Sequence, residues 1–201
     1  MSDSEQAEDT SQTIDPQVTI YSLERSIVMV GLMGAGKSSV GRGLAARFNL
    51  PFVDADTEIE AAAGCTISEF FERHGEAEFR DGERRVIARL LEGSPKVLAT
   101  GGGAFMDDET RTAITAMGIS VWLRADLSTL VRRTAQRTNR PLLNNANPAR
   151  TLEDLMEIRY PFYAQADITV ESDDSPPNVT VERVVNALEN FLETKEASST
   201  S

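Results

Sequence analysis

Gly31-Leu32-Met33-Gly34-Ala35-Gly36-Lys37-Ser38 is the stretch that decides how this chain folds. It satisfies G-x-x-x-x-G-K-[ST], follows the apolar run Ser26 to Val30, and leads into a helical pattern of Val40, Leu44, Ala45 and Phe48. Strand, loop and helix in that order are the context in which such an octet binds phosphate. Its glycines let the backbone curl with N–H groups inward, and the following helix adds partial positive charge at the same point. Lys37 then supplies a full charge for the β- and γ-phosphates of a nucleotide, and the Ser38 hydroxyl is placed to ligate Mg²⁺. Gly34, Ala35, Gly36, Lys37, Ser38 and Ser39 are therefore the expected nucleotide-contacting stretch. The alternative is a glycine-rich turn without a ligand.

Outward from the octet, four more short apolar runs alternate with helical patterns: Pro51 to Val53, Val97 to Ala99, Ile119 to Leu123 and Asp167 to Val170. Runs apolar on both faces and separated by helices indicate a parallel sheet covered on both sides. The expected fold is α/β, three layers, with a central parallel sheet of about five strands flanked by helices, and ligands belong at the carboxyl ends of its strands. The N-K-x-D and D-x-x-G strings of a GTPase and the L-S-G-G-Q of a transport ATPase do not occur. Small-molecule and nucleotide kinases remain.

The chain's 201 residues include 20 basic and 32 acidic side chains, a net charge of −12, with one Cys and one His. Those two cannot build a disulfide, a structural zinc site or a Cys-His dyad alongside any second histidine function. The acidic balance argues against nucleic-acid and anionic-membrane partners, which need a basic face. It is concentrated at the ends: residues 1–15 hold five acids and no base, and residues 171–201 seven acids against two bases, leaving 20 against 18 between them. Residues 1–25 are expected to be a disordered acidic tail, 26–193 a single domain and 194–201 a second disordered tail. No leader or membrane span is evident, so the expectation is a cytoplasmic chain with Cys65 reduced.

Asp54-Ala55-Asp56 puts two carboxylates just past the second strand, one for a metal and one for an acceptor hydroxyl whose proton must be accepted. The alternative use of Asp56 is to cap the helix starting Thr57-Glu58-Ile59. In a helix expected over Glu76 to Leu91, Glu83 lies on the apolar stripe of Phe79, Val86, Ile87, Leu90 and Leu91, with Arg80 at its edge. They form either a surface i, i+3 pair or a fork for a bound ligand. A helix starting near Thr151 places Arg159 on the face of Leu152, Leu155, Met156, Phe162 and Tyr163. An arginine there needs an anion, from the protein or from a substrate. Gly101-Gly102-Gly103 closes a buried strand, which suits a ligand approaching the backbone and equally a flexible turn.

Between 124 and 150 stand six arginines, at 124, 132, 133, 137, 140 and 150, against the single acid Asp126. Arg132, Arg133 and Arg137 read as the solvated side of a helix buried through Leu127, Leu130 and Val131. Arg140, before Pro141, reads as part of a mobile lid over about 132–150 that brings a guanidinium to the transferring phosphate and excludes water.

Taken in order, the octet, D-x-D at Asp54 to Asp56, G-E-x-x-F-R-x-x-E from Gly75 to Glu83, T-G-G-G from Thr100 to Gly103, R-P-L-L from Arg140 to Leu143 and R-x-P-x-Y from Arg159 to Tyr163 resemble the shikimate kinases. That family consists of small P-loop kinases of the nucleoside monophosphate kinase fold, so the resemblance implies a monomer; it runs from about Ser26 to Leu192. It implies MgATP-dependent phosphorylation of the 3-hydroxyl of shikimate, on the route to aromatic amino acids. It further implies that Asp56, Arg80, Gly102 and Arg159 bind shikimate, supported by Glu83, Gly101 and Gly103, with Arg80 and Arg159 on its carboxylate. Asp56 would orient the hydroxyl, Asp54 would support Mg²⁺ through water, and Arg140 would close over ATP. The family's adenine-contacting loop would correspond to Glu171 to Pro177. A kinase of another hydroxy-acid such as gluconate, or a silent shikimate-binding module, are the alternatives.

Overall fold

The computed structural model describes residues 23–135 and 147–199. Strand β1 (Ser26–Val30) is buried at all five positions, so it has no solvent face and must lie inside a sheet. It runs between β3 (Val97–Ala99) and β4 (Gly118–Arg124); β2 (Phe52–Asp54) adds beyond β3, and β5 (Ile168–Glu171) beyond β4. Every pairing is parallel, in the order β2-β3-β1-β4-β5. β5 alternates buried and exposed residues, the pattern of a strand at an edge. The α/β architecture expected from the sequence is present.

Helix α1 (Lys37–Phe48) packs on the sheet through Val40, Leu44 and Ala45 and against α7 (Pro177–Ser199) through Val181, Val184, Val185 and Leu188. The two helices approach closely because Gly43 has no side chain: a Cβ there would stand 2.5 Å from Val181 Cγ2. Helices α2 (Ala55–Ala63), α3 (Ile67–Leu91) and α4 (Asp108–Met117) lie between β2 and β4 in the chain, and α5 (Leu127–Ala135) and α6 (Pro148–Tyr163) between β4 and β5. A 3₁₀ turn, Ala104–Met106, follows β3.

Four boundaries differ from the sequence reading. Helix α3 starts at Ile67 rather than Glu76, behind a reciprocal Thr66/Glu69 capping box, and breaks at Gly75, whose φ of 80° is left-handed. Helix α6 starts at Pro148, capped by the Asn147 side chain on Arg150 N–H, rather than near Thr151. Residues 194–199, expected in a tail, continue α7; Glu-Thr-Lys-Glu-Ala contains mostly good helix formers, and the Thr194 hydroxyl donates back to Asn190 O at 2.7 Å. At the other end Arg25, also expected in a tail, donates to the carbonyls of Thr115 and Gly118. The remainder of the expected acidic tail, residues 1–22, lies outside the described residues. Residues 132–135 and 148–150 of the expected lid belong to α5 and α6; 136–146, with Arg137, Arg140 and Pro141 to Leu143, lie outside the described residues. No helix among the described residues is long and apolar enough to cross a membrane.

Candidate active site

The chain leaves the carboxyl end of β1 at Gly31, where a Cβ would stand 2.8 Å from Leu123 O, so the loop passes β4 only without a side chain. Gly34 and Gly36 have φ of 86° and 97°, conformations that L side chains rarely take. Gly36 is the N-cap of α1; no side chain caps the first turn, and that turn has no acidic residue. Uncapped N–H groups at the positive end of a helix suit a phosphate. Lys37 Nζ donates to Gly31 O at 2.8 Å and Leu32 O at 3.0 Å, which ties the ammonium to the start of the loop.

Ser38, one residue into α1, donates from Oγ to Asp54 Oδ2 at 2.9 Å. Asp54 ends β2, and its other oxygen, Oδ1, accepts the Asp56 N–H at 3.2 Å as the N-cap of α2. The cap of that helix is thus Asp54, and Asp56 is left in the first turn with its carboxylate available. Asp56 opens onto solvent, yet the walls around it, and next the charge of Asp54, raise its pKa above the usual 3.8; Lys37 opposes the rise. Ser38 and Asp54 offer hard oxygens beside the loop, and no group of three His, Cys, Asp or Glu is placed to hold a metal ion among the described residues. This donor set fits Mg²⁺, which takes most of its shell from phosphates and water, with few protein oxygens.

The three glycines after β3 make room for charged side chains of the protein itself. A Cβ on Gly101 would meet Asp56 Oδ1 at 2.8 Å and Glu83 Oε1 at 2.9 Å; on Gly102, Arg159 Nη1 at 3.2 Å; on Gly103, Arg80 Cζ at 2.6 Å. Two side chains of α3, one of α2 and one of α6 therefore converge on one turn, and a Cβ on Gly102 would also lie 3.7 Å from Gly31 O and Met33 N of the phosphate loop. Neither the flexible turn nor ligand approach alone accounts for the run. Arg80 Nη1 pairs with Glu83 Oε2 at 2.6 Å, and Glu83 is 3% exposed, so the pair is half-sunk rather than a surface bridge. Burial raises the Glu83 pKa, with Arg80 pulling the other way. Arg159 Nη1 donates to Gly102 O at 2.9 Å, a backbone oxygen in place of the protein carboxylate the sequence allowed.

A cleft of about 990 Å³ joins these parts, lined by the phosphate loop, Ser39, Asp54, Asp56, Gly101 and Gly102. Arg80, Glu83 and Arg159 stand behind the glycine turn rather than among its lining residues. Arg133, assigned from sequence to a solvated helix face, lines the cleft instead. Its guanidinium donates to Gly34 O at 3.3 Å, to Ser172 Oγ at 3.0 Å and to Asp173 O, and Ser172 Oγ in turn donates to Ala35 O at 2.8 Å. Arg133 thereby fastens the phosphate loop to the segment after β5. Its neighbour Arg132 pairs with Asp174.

A nucleotide-phosphate loop that shares a cleft with Asp54 and Asp56, and a glycine turn backed by two guanidinium groups, in a chain without the base-reading motif of a GTPase, make this chain a small-molecule P-loop kinase in architecture. The family model described as shikimate kinase matches residues 33–189. A shikimate kinase of Paramagnetospirillum magneticum is 61% identical over 169 residues, spanning 84% of this chain and 87% of that one, and one of Bradyrhizobium diazoefficiens is 58% identical over 168 residues, 84% and 81%. Among solved structures, shikimate kinase from Acinetobacter baumannii in complex with shikimate superposes with a TM-score of 0.80 at 37% identity, covering 84% of this chain and 94% of that one. The chain belongs to the shikimate kinase family.

Proposed function

We propose that this kinase transfers the γ-phosphoryl group of ATP to the 3-hydroxyl of shikimate, forming the new O–P bond as the bond to ADP breaks, with the hydroxyl proton leaving through Asp56. The observation that carries the reading is the convergence of Asp56, Glu83, Arg80 and Arg159 on Gly101–Gly103, within van der Waals reach of the phosphate loop. Donor and acceptor sites thus share a wall.

In this reading the N–H groups at the start of α1 and Lys37 hold the phosphates, and Lys37 exchanges its carbonyl partners for phosphate oxygens. An Asp56 carboxylate oxygen accepts the hydrogen bond of the acceptor hydroxyl and then its proton; a pKa raised above 3.8 makes it a better proton acceptor than an ordinary aspartate. Arg159 and Arg80 hold the acceptor's carboxylate, with Glu83 keeping Arg80 in place. Ser38 directly, and Asp54 through water, would hold Mg²⁺, which when bound neutralises phosphate charge. Arg140 is proposed to close over ATP and the transferring phosphate.

The product tests the reading: ³¹P NMR after incubation with MgATP and shikimate should show a phosphate monoester coupled to the single C3 proton, whereas ADP and inorganic phosphate alone would refute it. Arg159→Ala is expected to raise the shikimate KM on the order of 10²-fold, the scale for losing one partner of a charge-assisted pair, with the ATP KM nearly unchanged. Equal effects on both would contradict its role.

A further inference from the structure

We propose that Tyr163 is a positioning residue of the acceptor site: its hydroxyl holds the Gly102 carbonyl and so fixes the Arg159 guanidinium for the acceptor's carboxylate. The inference rests on the reading of Arg159 as carboxylate partner given above.

Gly102 O accepts from two side chains of one helix, Arg159 Nη1 at 2.9 Å and the Tyr163 hydroxyl. The two residues are four apart, hence one turn apart on the same face of α6. Between them stands Pro161, which has no N–H to donate to the Glu157 carbonyl, so the helix ladder is interrupted where the guanidinium must be aimed. The helix closes with Ala164 N–H on Tyr160 O at 2.9 Å. The last turn is therefore placed by its side-chain anchors as well as by its own ladder.

Tyr163 can serve as such an anchor because its ring has nowhere to go. It is 0% exposed, with ring centroids 5.9 Å from Trp122, 6.2 Å from Tyr160 and 6.5 Å from Phe105. Its hydroxyl is thus fixed by the core beneath the sheet's carboxyl edge. Burial pushes that phenol up to about 12, so it keeps its proton and remains a donor throughout the neutral range. A carbonyl oxygen has two lone pairs. The Tyr163 hydroxyl donates to Gly102 O and also lies in hydrogen-bond contact with the Arg159 guanidinium, so Gly102 O, Tyr163 and Arg159 close a triangle that holds the planar fork in one orientation. Remove the hydroxyl, and Arg159 keeps only the carbonyl of that pair and can turn away from the acceptor.

The test is Tyr163→Phe, which keeps the packed ring and deletes one oxygen. After wild-type turnover of shikimate is established, kinetics with both substrates and calorimetric titration of shikimate without nucleotide are compared. The expected result is a shikimate KM and Kd raised on the order of tenfold, the scale of one hydrogen bond, with kcat and the ATP KM within about twofold. A lowered Tm with unchanged shikimate KM and Kd would overturn the proposal and leave Tyr163 a core filler. Combining the change with Arg159→Lys settles action through Arg159, at a temperature where all variants are folded. Tyr163→Phe should add little in that background, and full additivity would also overturn the proposal. Failure of wild-type turnover would instead strike the functional reading.

Discussion

Lys37→Ala is expected to lower kcat/KM by on the order of 10²–10³, the scale of losing one preorganised electrostatic donor to the transition state. Nothing else in the loop Gly31 to Ser38 carries a positive side chain to replace it. The backbone curve of the loop is set by Gly34 and Gly36 and by the Ala35 N–H on Leu32 O at 3.2 Å, none of which needs the ammonium. The variant should therefore fold with nearly unchanged Tm and lose rate. Lys37 Nζ now sits on the carbonyls of Gly31 and Leu32, partners it must exchange for phosphate, so part of its interaction is realised only when the nucleotide is bound. Stopped or steady-state kinetics check this, and near-wild-type activity would remove the phosphate assignment.

Asp56→Asn is expected to cost roughly 10²–10⁴ in kcat, the range for a general base. A loose, metaphosphate-like transition state draws the figure towards the lower end, where orienting the hydroxyl matters more than removing its proton. The pH profile separates the two. Asp56 must be ionised to accept the proton, and its pKa is raised above 3.8 by the surrounding walls and by Asp54, so kcat/KM for the acceptor should rise with pH through that raised value. The variant should lose this acid limb. Stability follows the opposite sign: between 3.8 and the raised value the folded chain holds the proton that the unfolded chain has released, so Asp56 makes the fold less stable as pH rises through that window. Asp56→Asn should accordingly leave Tm unchanged or slightly raised at neutral pH. A flat profile in the wild type would contradict the role.

The parts of this site that were legible in the sequence are those built from neighbouring residues. The run from Ser26 to Ser38 carries strand, glycine loop and helix start in one stretch, and its geometry follows locally. Arg159 was legible as an anomaly, a guanidinium among apolar neighbours, although its protein partner is the Gly102 carbonyl rather than a carboxylate. Asp54 and Asp56 are legible from spacing as a pair, while their division of labour comes only from the family resemblance. Two carboxylates at i and i+2 suit a cap equally well, and the hydrogen bond from Ser38 that occupies Asp54 comes from another element.

Arg133 was missed for the same reason. Its helical position marks it as solvated, and only the fold brings it against Gly34 and Ser172. Ser172, the partner it meets, is buried although it stands in the acidic segment Glu171 to Pro177. The three glycines read from sequence as room for a ligand or as a flexible turn, whereas much of the space beside them is taken by Arg80, Asp56, Glu83 and Arg159. Periodicity and spacing give no signal that charged residues scattered over α2, α3 and α6 meet at one turn; only the ordered motifs of the family group them. The early start of α3 was visible in Thr66-x-x-Glu69 but hidden by the glycine that breaks the helix at 75.

The central claim is that one cleft joins a nucleotide-phosphate loop to a site for a hydroxylated carboxylate of one particular shape. Coupled ATP consumption by the purified chain with Mg²⁺ and, in separate reactions, shikimate, gluconate and AMP tests it most directly. The account predicts turnover that saturates with shikimate and stays at background with the other two. Turnover of gluconate or AMP alone would contradict it.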